Sequence, residues 1–352
     1  MSNTLDFDYE LLQRLTELHG VPGYEDAIRD VVRSELDPHV DEIRTDAMGN
    51  LVGSVGDGDV DVVVAAHVDE IGFMVRHLED GFLKLDALGG WDPRILRAQR
   101  VVVHTEDGDV PGIIGSVPPH TLSEEERERT PEVADIHVDL GVDEDEAADL
   151  VSIGDLVTLD GTTQIVGNHV TGKALDNRVS VMAMIEAARR LEGPDSNVSV
   201  HFAATTQEEV GLRGAQALGV DLEPDLALAL DTTVANDVPG FDDGEQVTEL
   251  GGGAGIKLKD SSVITNPKVH RRIRAVAEGA DIDYQIEVLP AGGTDTGGLQ
   301  RSSGATPVGA ISTPTRYLHT PTESVHVADV ESVIDLVTAV LDSEDGSHDY
   351  AL

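Results

Sequence analysis

The chain has 352 residues, more than the roughly 250–300 at which a single hydrophobic core stops growing, so we expect about two domains. Aspartate and glutamate number 67 against 24 lysines and arginines, and the net charge of −43 is spread along the whole sequence like the acidic surface of a halophilic protein, which argues against nucleic acid and anionic membranes as partners. The absence of cysteine excludes disulfides, thiolate metal sites and a cysteine nucleophile.

The amino-terminal segment contains two predicted helices. DFDYELLQRLTELHG and YEDAIRDVVRSELDPH carry apolar residues at three- and four-residue spacing and stop at Gly20 and near Pro38. The segment is acidic and lacks the basic start and apolar run of a signal peptide, and no apolar stretch of the chain approaches the ~18 residues of a membrane span. We therefore expect a cytoplasmic protein.

Strands are predicted next. VDEIRTDAMGNLVGSVG predicts a hairpin, and VDVVVAAH is a β-branched run typical of a strand that is buried on both faces. From residue 73 to residue 165, short strand-like runs alternate with glycine, proline and a charged segment, with little helical periodicity. This pattern predicts a small β-rich domain, residues 73–165, inserted into a larger domain formed by residues 1–72 and 166–352.

Helices and strands alternate in the rest of the chain. ALDNRVSVMAMIEAARRL, NPKVHRRIRAVAEGA and VADVESVIDLVTAVL predict helices, and NVSVHFAATTQ, DLALALD, YQIEVLP and ATPVGAIST predict strands. Such alternation is typical of an α/β domain with a mixed, largely parallel sheet that helices cover on both faces.

Polar residues follow several of these predicted strands. His67 ends one strand, Glu208 and Glu209 end a second, Asp231 ends a third and His319 follows a fourth. Ligands of open α/β sheets collect at the carboxyl ends of the strands, so we expect these side chains to converge. In isolation, the two glutamates could equally form a solvated helix start.

Asp176 joins this group from the start of a predicted helix, where it could also act as a simple cap. Two imidazoles and several carboxylates without a thiolate form a ligand set suited to Zn, Co or Mn. Five ligands exceed one tetrahedral zinc site but suffice for two metals that share a bridging carboxylate, as in metal-assisted hydrolysis of peptides and phosphates.

Five separated runs carry a resemblance to a known family. AAHVDEIGFMV, GKALDNRVSV, TTQEEVGLRGA, ALDTT and YLHTPTESVHVADVE, in this order, resemble the tetrahedral aminopeptidases, dinuclear metallopeptidases that include glutamyl, leucyl and lysyl aminopeptidases. The resemblance covers nearly the whole chain, including the β-rich insert, and implies a zinc-exopeptidase-like fold.

The resemblance also implies a metal-binding role for each candidate ligand. His67 and Asp231 would hold one metal, Glu209 and His319 the other, and Asp176 would bridge them. The implied cofactors are two divalent metal ions per subunit, Zn or Co, with Mn also possible.

Two further acids receive catalytic roles from the resemblance. Glu208 would be the general base and Asp69 the acid that orients His67, whereas Glu70 is left without a physical role. The implied enzyme removes amino-terminal residues from short peptides with a free amino terminus, using a water between the metals that Glu208 deprotonates. The implied assembly is a homododecamer built from dimers, with the β-rich insert at the dimer contacts.

Two glycine-rich segments are predicted to flank the substrate. The first contains Gly253 and Gly255, and the second contains Gly293, Thr294 and Asp295, which could alternatively form a turn only. The first lacks the lysine of a P-loop and the helix of a dinucleotide fingerprint.

The competing functions are a metal-dependent deacylase or carboxypeptidase on the same scaffold, a glycosidase, and a metal-storing scaffold without activity. The glycosidase is disfavoured because adjacent glutamates on an extended segment point apart, whereas glycosidases place two carboxyl groups ~5–9.5 Å apart across a sugar.

Overall fold

The computed structural model describes residues 5–241 and 243–352. Its helices are α1 (Tyr9–Glu17), α2 (Asp26–Leu36), α3 (Glu124–Glu128), α4 (Glu144–Leu150), α5 (Leu175–Arg190), α6 (Arg213–Leu222), α7 (Pro267–Ala280), α8 (Asp295–Ser302) and α9 (Val327–Asp342). Within the described ranges, no helix is long and apolar enough to span a membrane.

The strands form two sheets. They are β1 (Glu42–Thr45), β2 (Leu51–Val55), β3 (Val60–His67), β4 (Gly72–Glu79), β5 (Phe82–Leu88), β6 (Gln99–Thr105), β7 (Gly108–Ile114), β8 (His137–Asp139), β9 (Leu156–Leu159), β10 (Gln164–Val166), β11 (His169–Gly172), β12 (Val198–Thr205), β13 (Leu226–Val234), β14 (Ala254–Lys259), β15 (Tyr284–Val288), β16 (Val308–Arg316) and β17 (Glu323–His326).

The larger sheet has eleven strands, with the order β1-β2-β12-β3-β13-β16-β17-β11-β10 and with β14 and β15 branching from β16. Its central strands β12, β3, β13 and β16 run parallel, whereas β1, β2, β17, β11 and β10 add antiparallel edges. Because parallel strands end at a common edge, this arrangement gathers the ends of β3, β12, β13 and β16 together.

Strand β3 shows why the sheet is covered on both faces. Val62, Val64 and Ala66 pack into one apolar core, and Val63 and Ala65 pack into another, because successive side chains of a strand point to opposite faces. The first core includes residues of α1, α2, α5, α7 and α9, and the second includes residues of α6 and α8. The predicted α/β class with a mixed sheet between two helical layers is confirmed.

The smaller sheet is a closed barrel with the order β4-β5-β8-β7-β6-β9. Phe73, Val75, Leu83, Val101 and Val138 belong to its own apolar core. Strand β4 begins at Gly72, and β10, which ends at Val166, pairs with β11 in the larger sheet. The barrel therefore lies between residues 72 and 159 of the chain.

Candidate metal centre

The candidate ligands lie where strands of the larger sheet end or a helix begins. His67 is the last residue of β3, Asp176 lies in the first turn of α5, and Glu209 and His319 lie in the segments that follow β12 and β16. Asp231 lies inside β13, which continues to Val234, so the prediction that this aspartate ends its strand is wrong. The continuation is paired with β16, while the pairing of β13 with β3 stops at Ala229.

Asp176 lies between the two imidazoles. Its Oδ1 is 3.3 Å from Nε2 of His67, and its Oδ2 is 3.4 Å from Nε2 of His319. The 3.3 Å contact lacks the geometry of a hydrogen bond, so Oδ1 is a buried oxygen without a hydrogen-bond partner. One carboxylate therefore presents a separate oxygen to each of two imidazoles.

A further carboxylate stands beside each imidazole. Oδ1 of Asp231 is 3.7 Å from Nε2 of His67, and Oε2 of Glu209 is 3.7 Å from Nε2 of His319. His67, Asp176 and Asp231 form one group whose ligand atoms lie within 4.8 Å of one another, and Asp176, Glu209 and His319 form another. The two groups share Asp176, which suits two cations with a common carboxylate.

Each imidazole is fixed through its other nitrogen. Nδ1 of His67 is 3.2 Å from the backbone oxygen of Asp69, and Nδ1 of His319 is 2.8 Å from the backbone oxygen of Gly90. When Nδ1 donates to a carbonyl oxygen, Nε2 keeps its lone pair and can bind a metal. Both histidines thus present Nε2 to the carboxylates.

The carboxylate of Asp69 holds the turn that carries the two glutamates. Its oxygens accept hydrogen bonds from the backbone N–H groups of Glu208 and Glu209, each at 3.0 Å, while Oδ1 lies 3.5 Å from Nδ1 of His67. The backbone oxygen, and not the carboxylate, is the hydrogen-bond partner of this imidazole. Because Oδ1 of Asp69 also lies beside this ring, the role of the carboxylate in orienting His67 stays a prediction.

Glu323 is a functional candidate that the sequence analysis missed. It is buried, and its two carboxylate oxygens accept hydrogen bonds from the backbone N–H groups of Asp176 at 3.0 Å and His319 at 2.8 Å. His319 has a φ of 59°, in the left-handed region that non-glycine residues adopt at a cost of about 1–3 kcal/mol. Glu323 thus ties two candidate ligands together. Its only sequence signal was its position four residues after His319 in YLHTPTESV.

The partner of Glu70 is now evident. Nζ of Lys173 lies 2.9 Å and 2.7 Å from the two carboxylate oxygens of Glu70, and the backbone N–H of Gly20 donates to one of them at 3.2 Å. Both charged side chains are buried. Since Glu70 follows Asp69 and Lys173 lies three residues before Asp176, this ion pair joins the two chain segments that carry the centre.

The centre combines buried acids with two imidazoles. Among the described residues, the ion-pair partners of Asp176, Glu209 and Asp231 are these histidines, and not lysine or arginine. Burial raises the pKa of Glu209 to about 8, and the charge of Asp176 adds to the increase. Burial opposes the protonation of His319, but Asp176 and Glu209 outweigh it and raise the pKa of this imidazole to about 10.

These donors fit divalent cations. They are carboxylate oxygens and imidazole nitrogens, the types that Zn, Co and Mn accept, and the buried free oxygen of Asp176 lacks any other partner. Cations would also offset the repulsion between the buried carboxylates, which the two imidazoles only partly neutralise. The residues present therefore fit a pair of metal ions.

Metal binding is expected to release protons. A raised carboxyl pKa means that Glu209 keeps its proton near neutral pH without metal, and His319 does so as well, whereas a metal needs both groups deprotonated. The apparent affinity should therefore rise with pH between about 6 and 9. Calorimetric titration in buffers of different ionisation enthalpy measures this release. A binding heat independent of the buffer, together with a flat affinity over this range, would contradict it.

A cavity of about 760 Å³ opens beside the centre. Of the predicted substrate loops, Gly293 and Thr294 line the cavity, while Asp295 is buried at the start of α8 and accepts a hydrogen bond from Thr205. Gly253 and Gly255 are not among the lining residues. The N–H of Gly253 bonds to Asp329 and Gly255 pairs with β16, and their position beside the substrate stays a prediction.

Comparison with known proteins identifies the family of the chain. The family model described as M42 glutamyl aminopeptidase matches residues 49–336, and a second model, AMPT, matches residues 6–32. The lysyl aminopeptidase of Pyrococcus furiosus is 34% identical over 345 residues, which cover 95% of this chain and 97% of the relative.

Two solved structures extend the likeness to the fold. An aminopeptidase from the archaeon Desulfurococcus kamchatkensis has 38% identity and a TM-score of 0.91, with 95% of this chain and 94% of that chain covered. The TET1 peptidase of Pyrococcus horikoshii, which can assemble into a tetrahedron or a large octahedral shell, has 33% identity and a TM-score of 0.86, with 95% and 99% covered. The predicted resemblance to the tetrahedral aminopeptidases is confirmed, and the chain belongs to the M42 glutamyl aminopeptidase family of peptidases.

Proposed function

We propose that the protein is a dinuclear metal-dependent aminopeptidase that releases amino-terminal residues from short peptides. The observation that carries this proposal is the position of Asp176, whose two oxygens face the Nε2 atoms of His67 and His319 at 3.3 Å and 3.4 Å. A carboxylate in this position suits a pair of cations and has no comparable use in a site for one metal.

His67 and Asp231 would hold one metal, Glu209 and His319 the other, with Asp176 shared. When bound, the metals supply Lewis acidity and stabilise negative charge that develops on the oxygen of the scissile carbonyl. Zinc and cobalt are the ions we favour, and manganese has the same type of ligands.

Glu208 is proposed as the general base. Its Oε2 lies 3.9 Å from Nε2 of His67, and its side chain lines the cavity. Asp231 already stands beside His67, whereas the His319 side would be left with Asp176 alone if Glu209 were not a ligand. Glu208 is therefore free to take a proton from the attacking water and return it to the leaving amine. Burial raises the pKa of Glu208, which favours this exchange.

The free amino terminus of the substrate is proposed to bind among the carboxylates of the centre. This is the feature that separates an aminopeptidase from the alternative, a metal-dependent deacylase or carboxypeptidase on the same scaffold. A peptide with a free amino terminus should be cleaved, and its acetylated twin should not, because acetylation removes the positive charge of the amine. Cleavage of both peptides at similar rates would contradict the proposal and favour the deacylase.

We also propose a homododecamer built from dimers, with the predicted domain of residues 73–165 at the dimer contacts. The TET1 peptidase that assembles into a tetrahedron supports this proposal. The barrel region also exposes apolar side chains that a partner could cover, since Phe82 is 41%, Ile113 56% and Val117 61% exposed.

The assembly is expected to need salt. The net charge of −43 means that acidic side chains repel one another strongly in dilute buffer. The Debye length is ~30 Å at 0.01 M salt but only ~3 Å at 1 M, so salt screens this repulsion. Dialysis into 10 mM buffer should reduce both the mass measured by light scattering and the peptidase activity, and molar KCl should restore both. Full activity for hours in the dilute buffer would contradict the halophilic character, and a monomer or dimer mass in molar KCl would contradict the dodecamer alone.

A further inference from the structure

The wall of the cavity beyond the proposed ligands and base is apolar. Five large aliphatic side chains line it. They come from the β-rich insert, from strand β13, and from the segments that follow the two glutamates, follow β15 and precede His319. They are Ile95, Leu212, Val234, Leu289 and Leu318. The other lining residues outside the centre are mainly glycine and threonine. A cavity of this composition gains free energy when it removes an apolar side chain from water.

Positive charge is missing from this wall. Among the described residues, the lining includes no lysine or arginine. Apart from the centre itself, its one ionisable residue is Asp92, which Arg94 already binds through two nitrogens at 2.6–3.0 Å. The side chain of Arg94 is 73% exposed, lies outside the lining and already carries a carboxylate partner, so the wall itself supplies no cation for a substrate carboxylate.

We infer that the enzyme releases amino-terminal residues with neutral aliphatic side chains and discriminates against acidic ones. The inference rests on the proposed aminopeptidase function and names the substrate class of the same site. A glutamyl side chain would place its carboxylate against the aliphatic wall, where no lysine or arginine of the lining can pair with it, and an unpaired charge in such a place is costly. The glutamyl preference in the description of the family therefore does not extend to this chain.

Peptides with an amino-terminal lysine should be cleaved less efficiently than leucyl peptides and more efficiently than glutamyl peptides. The carboxylate of Asp92 is engaged by Arg94, so the ammonium group finds no free carboxylate in the wall, although the threonine hydroxyls of the lining can accept a hydrogen bond from it. The methylene groups of the lysyl side chain can still pack against that wall. We therefore expect kcat/KM to decrease from leucyl to lysyl to glutamyl peptides.

The test uses tripeptides that differ only in the amino-terminal residue, with the metal-loaded enzyme in molar KCl. We expect kcat/KM for the leucyl peptide to exceed that for the glutamyl peptide by about 100-fold or more. Glutamyl release equal to or faster than leucyl release would overturn the inference and leave the aminopeptidase function intact. Release from none of the peptides would contradict the proposed function, and the inference with it.

A matched pair of variants tests whether the wall sets this preference. Leu289→Arg places a guanidinium in the wall just after β15, whereas Val288→Arg adds the same charge one residue earlier, at a half-exposed position outside the lining. The ratio of glutamyl to leucyl kcat/KM should rise about tenfold or more in Leu289→Arg and stay unchanged in Val288→Arg, since arginine pairs with carboxylates bidentately. Equal ratios in both variants would show that the wall does not determine the preference.

Product binding provides a readout that does not depend on turnover. Free leucine should raise the melting temperature of the wild-type protein more than free glutamate at the same concentration, because a ligand stabilises the folded state it binds. The difference between the increases in melting temperature caused by leucine and by glutamate should shrink or change sign in Leu289→Arg but not in Val288→Arg. Stronger stabilisation of the wild type by glutamate would contradict the inference independently of any peptidase assay.

Discussion

Replacing Glu208 with glutamine should lower kcat/KM by about 10²–10⁴ while the metal content stays at the wild-type level. Glutamine keeps the size of the side chain and can still form hydrogen bonds, but it cannot take a proton from the attacking water. The turn that carries residue 208 should be preserved, because Asp69 holds it through backbone N–H groups that the substitution does not change. Elemental analysis and peptide hydrolysis on the same purified sample measure both quantities.

The matched variant is Glu209→Gln, one residue away in the same turn. It removes a charged group 3.7 Å from Nε2 of His319, so metal content should fall together with activity. If Glu208→Gln lost metal and Glu209→Gln kept it, the two roles would be reversed. The two variants are a matched pair because Asp69 holds the backbone of both residues in one turn. A general loss of structure would therefore affect both variants equally.

The structure gives a different physical basis for assigning different roles to Glu208 and Glu209. The sequence suggested an extended strand end whose successive side chains point to opposite sides. Strand β12 instead ends at Thr205, Gln207 adopts a left-handed φ of 55°, and the glutamates lie in the turn that follows. Oε2 of Glu208 lies 3.9 Å from Nε2 of His67 and Oε2 of Glu209 lies 3.7 Å from Nε2 of His319, while ligand atoms of Glu208, Glu209 and His67 also lie within 4.8 Å of one another. The roles therefore depend on a turn held by Asp69, which strand periodicity could not predict.

The central sheet was predictable because its signals are local. The run from Val60 to His67 is apolar on both faces of the strand, and α5 and α9 are long segments bounded by polar residues. Helices α6 and α8 were not predicted. Gly298 lowers the helix propensity of α8, but a Cβ there would lie 3.1 Å from the Cβ of Ala215 in α6, so the glycine allows the two helices to pack closely.

The ligands were predictable for a similar reason, since each is a histidine or an acid placed beside a recognisable strand or helix. The residues that hold the ligands and their chain segments in place were not predictable. Glu323 acts on Asp176 from 147 residues away, and Lys173 pairs with Glu70 across 103 residues. A single sequence contains no information on which distant acid and base meet, because the pairing is decided by how the sheet brings β17 and α5 to the end of β3.

Removing one partner of the Glu70–Lys173 pair is expected to cost a large amount of stability. Replacing Lys173 with methionine leaves Glu70 buried with the N–H of Gly20 at 3.2 Å and the guanidinium of Arg178 at 4.0 Å, and breaking a buried pair in this manner costs at most about 3–5 kcal/mol. Glu70→Gln removes the charged partner of both Lys173 and Arg178 and should destabilise by at least as much. Urea denaturation in molar KCl measures both effects and keeps the acidic surface screened.

The double variant Glu70→Gln/Lys173→Met should recover part of the lost stability, since the ammonium group and the carboxylate are both removed and only Arg178, 4.0 Å from Glu70, loses a charged partner. The matched control is Lys84→Met, which breaks the surface pair with Glu79 on the barrel, where the two side chains are 29% and 54% exposed. That change should cost no more than about 1 kcal/mol and even less in molar KCl, because salt screens exposed charges far more than buried ones. If Lys173→Met were as mild as Lys84→Met, or if the double variant were as unstable as the sum of the single ones, the pair would not be the partnership that allows Glu70 to be buried beside the centre.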